Sequence, residues 1–194
     1  MHSLCYPRIM DKITVYHSSF SIIEKPDIFH GRTNADFGQG FYVSRNKDFS
    51  LRWAKARKNE TSYINVYELD TNELNILHLQ RDENWFSYIF DNRNRVNDLY
   101  KDYDLIIGPI ANDTIYDTFG IITSGILSKQ EAMKLLMIGP SYEQIVLKSK
   151  KAADHLEFRS YITLSYEEAI SYRDLVLKEQ EAYQKQFTEV MKTF

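Results

Sequence analysis

One histidine, one tyrosine and one tryptophan stand where a packed strand or helix has no need of them. His17 closes the β-branched run 13–17 and is followed by two hydroxyl residues, Ser18 and Ser19. Tyr42 lies in the short run 40–44, which is entered through Gly38 and Gly40, where backbone can come close to a ligand. Trp53 follows on the next helical stretch, with Ser50 beside it, and far along the chain YEQIVL puts Glu143 and Gln144 at the head of a strand. Together an imidazole, a phenol and an indole suit a site for a sugar ring and a flat heterocycle. Hydroxyls take hydrogen bonds, and ring planes take offset stacking. Singly, each residue has an ordinary structural explanation. A lone His at a strand end is a satisfied structural His, Tyr42 and Trp53 are core, Asp36 forms a turn, and Lys148, Lys150 and Lys151 make a solvated face. Only their ordered combination argues against those explanations.

The elements that must position them follow from periodicity. Residues 13–17, 40–44, 62–69, 74–79, 103–110, 142–147 and 156–164 are predicted strands, alternating or short and apolar. Residues 18–39, with Pro26, Gly31 and Gly38, are predicted as a long loop. Helices are predicted over 46–59 with Asn46 as N-cap, over 83–93, over 112–123 capped at Asn112 or Asp113, and over 128–138 behind a capping box of Ser128 and Glu131. A second capping box, Ser165 and Glu168, opens an amphipathic helix that runs to the end of the chain. This irregular order predicts an α+β domain over 11–164, with 1–10 as an extension and 165–194 as an appended helix. The distal half of that helix is expected either to pack on its own domain or to bind a partner or a second copy.

Composition excludes several classes. The net charge of −3 gives no global field for nucleic acid, although a local basic cleft stays open. A single cysteine, Cys5, makes no internal disulfide, and with five dispersed histidines it makes no metal cluster, so no metal is expected. No apolar run reaches signal-peptide or membrane-span length, so no membrane partner and a cytoplasmic location are expected. GQGF is not a dinucleotide fingerprint, because its third glycine is missing and a strand follows it.

In order, YHSS, GFYVS…S..WA and EQIVL resemble the three-part signature of the ADP-ribosyltransferase superfamily. The resemblance is to the His-Tyr-Glu branch that contains diphtheria toxin and the poly-ADP-ribose polymerases. A bacterial family of unknown function within that superfamily is more similar still. Its shared pieces fall here on Tyr16–Ser19, Pro26–Asp27, Arg32, Asp36–Tyr42, Trp53–Ala54, Asn92–Arg93, Asp102–Asp113 and Gln144–Ile145. The resemblance implies split mixed and antiparallel sheets with flanking helices, and an enzyme that cleaves the nicotinamide–ribose bond of NAD. It implies that His17 holds a ribose hydroxyl, that the backbone of Ser18, beside Ser19, pairs with the carboxamide, and that Ser50 adds a hydroxyl there. Tyr42, entered through Gly40 and Phe41, would lie against the nicotinamide ring, Trp53 would close its other face, and Arg32 would take the pyrophosphate or adenine side.

The third motif departs from the polymerase pattern. Neighbours in a strand face opposite ways, so only one of Glu143 and Gln144 can enter a site. Alignment with the polymerases selects Glu143, whereas the nearer family selects and favours Gln144. The resemblance also implies a bacterial toxin of a toxin–antitoxin or phage-defence pair, with a small neutralising protein as partner. The acceptor of ADP-ribose would be a macromolecule, protein slightly before nucleic acid. NAD hydrolysis, or a non-catalytic binding or interaction module on the same fold, are the alternatives.

Overall fold

Valine, isoleucine and aromatic residues fill the strands and set which faces must be covered. The computed structural model describes residues 12–94, 98–111 and 126–194. Its elements are β1 (Lys12–Ser19), β2 (Phe41–Val43), α1 (Lys47–Arg52), β3 (Ser62–Asp70), β4 (Ile76–His78), α2 (Glu83–Arg93), β5 (Leu105–Pro109), α3 (Lys129–Leu136), β6 (Glu143–Leu147), α4 (Lys150–Asp154), β7 (Leu156–Leu164) and α5 (Tyr166–Met191). The expected extension 1–10 with Cys5 and the expected helix 112–123 lie outside the described residues.

The class is α+β with two sheets. Strands β1-β3-β7 form an antiparallel sheet, and β2-β6-β5-β4 form a mixed one in which only β4 and β5 run parallel. The period of two divides the core. Leu105 and Ile107 of β5, with Ile145 and Leu147 of β6, face Val15, Tyr67 and Leu69 of the other sheet. Ile106 and Val146 point the opposite way, onto Trp85, Phe86 and Ile89 of α2 and Leu135 of α3. The two sheets are joined at their edges by one antiparallel bridge, in which Tyr16 and Ser44 exchange backbone hydrogen bonds of 2.8 and 3.0 Å.

The loop after β1 is tied down from β3. Asn65, fully buried, accepts from the Ile23 amide at 2.8 Å and donates to the Ser21 carbonyl at 3.0 Å, and the Tyr67 hydroxyl donates to the Ile23 carbonyl at 2.6 Å. Further on, the Gln39 amide donates to the carbonyls of Phe29 and Gly31.

Helix α1 is shorter than its sequence pattern. Asn46 caps it as expected, but it ends at Arg52 with Trp53 as C-cap, and 54–61 is irregular. The chain must turn back there to feed β3. The Ser62 hydroxyl donates to the Lys55 carbonyl, and Asn59 takes the left-handed backbone at φ 66°. Such closure outranks a weak local helical preference.

Helix α5 opens with the Ser165–Glu168 capping box. Its distal stripe packs on its own domain, where the sequence left room for a second chain. Tyr183 is 2% exposed in the core beside α2 and α3, with Phe187, Val190 and Met191 packed around the same cluster. Glu179 pairs with Arg52 of α1 and accepts from the Tyr142 hydroxyl at 2.8 Å. Tyr183→Ala is therefore expected to cost about 3–5 kcal/mol, the range for truncating a buried large aromatic. A chain ending after residue 175 is expected to lose cooperative unfolding. Urea denaturation checks both, and an unchanged midpoint in either protein would show α5 to be an accessory.

Candidate functional site

Where the two sheets part beyond the Tyr16–Ser44 bridge, a cleft of about 260 Å³ opens. Its lining includes His17, Ser18, Arg32, Asp36, Tyr42, Ser50, Trp53 and Gln144, with Tyr16, Val43, Phe49 and Ile110 as apolar wall. Residues scattered over most of the chain thus meet in one hollow.

His17 stands at the end of β1, opposite Asn65 of β3. Its Nδ1 lies 2.7 Å from the Tyr42 carbonyl oxygen. A carbonyl only accepts, so Nδ1 carries the proton and Nε2 keeps its lone pair. The Phe41 ring lies 4.4 Å from the imidazole, centroid to centroid, and backs it. Burial lowers the His17 pKa below 6.5, and the bond to Tyr42 only partly offsets this. His17 is therefore a neutral, oriented acceptor.

Tyr42 contributes its ring but not its hydroxyl. The phenol donates to the Gly38 carbonyl at 2.6 Å and accepts from the Phe37 amide at 3.0 Å. Burial, reinforced by the charge of Asp36, holds its pKa well above the ordinary value. Trp53, 38% exposed, forms the outer lip and lies tilted against Phe49 with centroids 5.4 Å apart. The Ser50 hydroxyl donates to the Asn46 carbonyl at 3.2 Å, which leaves its lone pairs available. Arg32 lies at the exposed mouth.

Register decides which of Glu143 and Gln144 enters the cleft. Gln144 shares a strand face with Val146, which pairs with Tyr42 across β2 and β6. Its side chain enters the cleft, only 8% of the residue is exposed, and its amide nitrogen is buried without a hydrogen-bond partner. Such a group costs about 1–3 kcal/mol until something accepts from it. Glu143 lies on the other face, exposed and outside the cleft. Of the other expected ligand residues, three do not line the cleft. Ser19 accepts from the Ser21 amide and borders a neighbouring hollow, Gly40 abuts Val146 and Leu147, and Phe41 supports His17 from the core. In each case strand alternation or packing turns the residue away.

Two buried ion pairs were not legible in the sequence. Asp36 is no mere turn former. Arg93 contacts its Oδ1 through Nε at 2.9 Å and through a terminal nitrogen at 2.7 Å, and the Ala111 amide donates to Oδ2 at 3.3 Å. Lys148 is not on a solvated face. Its side chain is 3% exposed, paired with Asp98, and donates to the Phe37 carbonyl at 2.6 Å. Burial lowers the Lys148 pKa and Asp98 opposes that shift. Between the pairs sits Gly38 at φ 74°, where an added Cβ would lie 2.5 Å from Asp98 Oδ2 and 2.9 Å from Lys148 Nζ. Loop 36–38 is thereby fixed as one wall of the cleft. The DFG and NR motifs were the only signal, and spacing alone could not pair them.

Among the described residues no group of three or more potential ligands is placed to hold a metal ion. No described helix is long and apolar enough to cross a membrane.

A family model for a protein of unknown function (DUF3990) matches residues 13–158. The chain belongs to the DUF3990 family. No curated protein and no solved structure matches it. The DUF3990 span contains every described residue that lines the cleft and stops before α5. In this DUF3990 protein Arg93→Leu is expected to cost about 3–5 kcal/mol, because it leaves the Asp36 carboxylate buried without its cation. Adding Asp36→Asn should recover part of that loss in urea unfolding. A single variant as stable as the parent would mean that the pair does not hold the loop.

Proposed function

We propose that the chain is an ADP-ribosyltransferase that consumes NAD, with an ADP-ribosyltransferase-like split between its two sheets. The observation that carries this reading is the meeting of His17, Tyr42, Trp53 and Gln144 in one cleft, with the Gln144 amide buried and unpartnered. In this reading the nicotinamide lies between the Tyr42 ring and Trp53, Ser18 and Ser50 take its carboxamide, and Arg32 takes the pyrophosphate. The His17 Nε2 lone pair accepts from a ribose hydroxyl, and the Gln144 amide donates to one. The volume suits the nicotinamide–ribose half of NAD, since whole-ligand sites run to roughly 300–1,000 Å³.

The chemistry breaks the ribose–nitrogen bond. Nicotinamide leaves with the bonding electrons as a neutral molecule, and the sugar carbon passes through an oxocarbenium-like state before the acceptor attacks and sheds its proton. This chain's part is to hold the two rings in register and to fix the hydroxyls as charge develops. Gln144 cannot take the proton, and Asp36 is committed to Arg93. An acceptor that needs little activation fits best. A toxin paired with a small neutralising protein, expected in the cytoplasm, extends this reading on the sequence resemblance alone.

Incubation with labelled NAD and cell lysate is expected to mark a macromolecule, and His17→Ala is expected to abolish the label. Gln144→Ala should lower the rate by about 10²–10³-fold, as for loss of one contact to the developing transition state. Glu143→Ala should stay close to the parent. The reverse ranking, or an undiminished label in His17→Ala, would reject the assignment.

The pH dependence follows from His17. Only the neutral imidazole accepts at Nε2, and burial keeps the folded pKa below 6.5. NAD affinity is expected to be level above pH 6.5 and to fall on acidification through the depressed folded value. Stability moves in the same sense, because the unfolded chain takes up this proton first. His78 is shifted in the same direction, so the difference between the parent and His17→Asn isolates the term. Titration calorimetry across that range reads it, and affinity that rises in acid would contradict it.

A further inference from the structure

Beside the cleft lies a second hollow of about 310 Å³, which shares Ser18 and Trp53 with it. Its own lining includes Phe20, Lys55, Arg57 and Ser62. The Ser62 hydroxyl holds the Lys55 carbonyl, which sets the start of the basic segment 55–58 at the rim. Arg57 places its guanidinium carbon 4.4 Å from the centroid of the Phe20 ring. Trp53, the partition between the two hollows, keeps 38% of its surface exposed.

Charge and aromatic surface coincide here. Segment 55–60 carries Lys55, Arg57 and Lys58 against one acid, Glu60, a local excess of two positive charges on a chain of net −3. Arg57 meets Glu60 at 3.4 Å, but their side chains are 60% and 46% exposed respectively, and such pairs are weak and readily exchanged for another anion. Lys55 and Lys58 carry no ion pair among the described residues. A cation over a ring, an exposed indole and the Lys55 ammonium along one groove, with Lys58 on the same segment, are what a single strand of nucleic acid requires. Phosphates meet the cations and bases stack on the ring and guanidinium faces. An acidic peptide would satisfy the charges and leave Phe20 and Trp53 unused. A duplex would hide its base faces.

We propose that this hollow binds single-stranded nucleic acid and leads it over Trp53 toward the cleft. Its role as the acceptor site rests on the NAD reading above, whereas the binding itself does not. Expected results are read by fluorescence anisotropy on the full chain without NAD, using labelled RNA and DNA single strands of about 12 nucleotides. Both should bind, and which binds more tightly identifies the natural strand. The logarithm of the association constant should fall with the logarithm of salt by roughly 0.7 per phosphate contact. Lys55→Glu with Arg57→Glu should weaken binding at least about tenfold and flatten that slope, and Phe20→Ala should weaken it by about tenfold without changing the slope. NAD affinity should be the same in these variants as in the parent. Absence of binding to either strand, affinity indifferent to these substitutions, or tighter binding of polyglutamate or of a duplex would overturn the proposal. If strands bind here while labelled NAD marks nothing, the NAD reading fails and the hollow stands. If NAD labels a protein and no strand binds, the reading stands and the hollow fails.

Discussion

Tyr42 buries a hydroxyl, and a buried hydroxyl must find partners for its proton and its lone pairs. It finds both in loop 36–38, at the Gly38 carbonyl and the Phe37 amide. The same residue offers its own carbonyl to His17. One three-residue strand therefore fixes a loop on one side and orients an imidazole on the other. The cleft between them has a definite shape because neither wall can move without stranding a buried polar group. Breaking that arrangement would cost about 1–3 kcal/mol per stranded group, a large share of the roughly 5–15 kcal/mol by which a domain is typically stable.

Charge is managed around the cleft rather than inside it. The Asp36–Arg93 and Asp98–Lys148 pairs flank the loop, and each places a carboxylate against a buried cation. Asp36 is the one carboxylate in the described cleft lining, and it is neutralised. What faces the hollow is a set of neutral polar groups: the Nε2 of His17, the hydroxyls of Ser18 and Ser50, and the amide of Gln144. Such a lining favours a ligand rich in hydroxyl and amide groups, and it leaves cationic contact to Arg32 at the mouth.

Helix α5 shows how a local pattern can be clear while its partner is not. Its amphipathic stripe and capping box are explicit in the chain, and they imply only that some surface must cover the apolar side. The surface proves to be its own domain, reached by Tyr183 and clamped through Glu179 to Arg52 and Tyr142. The helix lies outside the DUF3990 match although its apolar side completes the domain's core.

The strand positions, the helices behind Asn46, Ser128 and Ser165 and over 83–93, both capping boxes and the α+β class were legible in the sequence, because period, turn residues and caps act over a few positions. The short helix α4 was not expected, and the expected helix 112–123 lies outside the described residues. The end of α1 was not legible, since it depends on where β3 begins. Nor was the choice between Glu143 and Gln144. Ile145, Val146 and Leu147 are all buried, so the run has no alternation from which to read a face. The environments of Asp36 and Lys148 were hidden for a related reason, their partners standing 57 and 50 positions away. The chain by itself determined which side chains were available and which short segments would be regular. Sheet register and long-range pairing alone decided which of them share a cavity, because facing direction and burial are properties of contacts between segments and not of any segment alone.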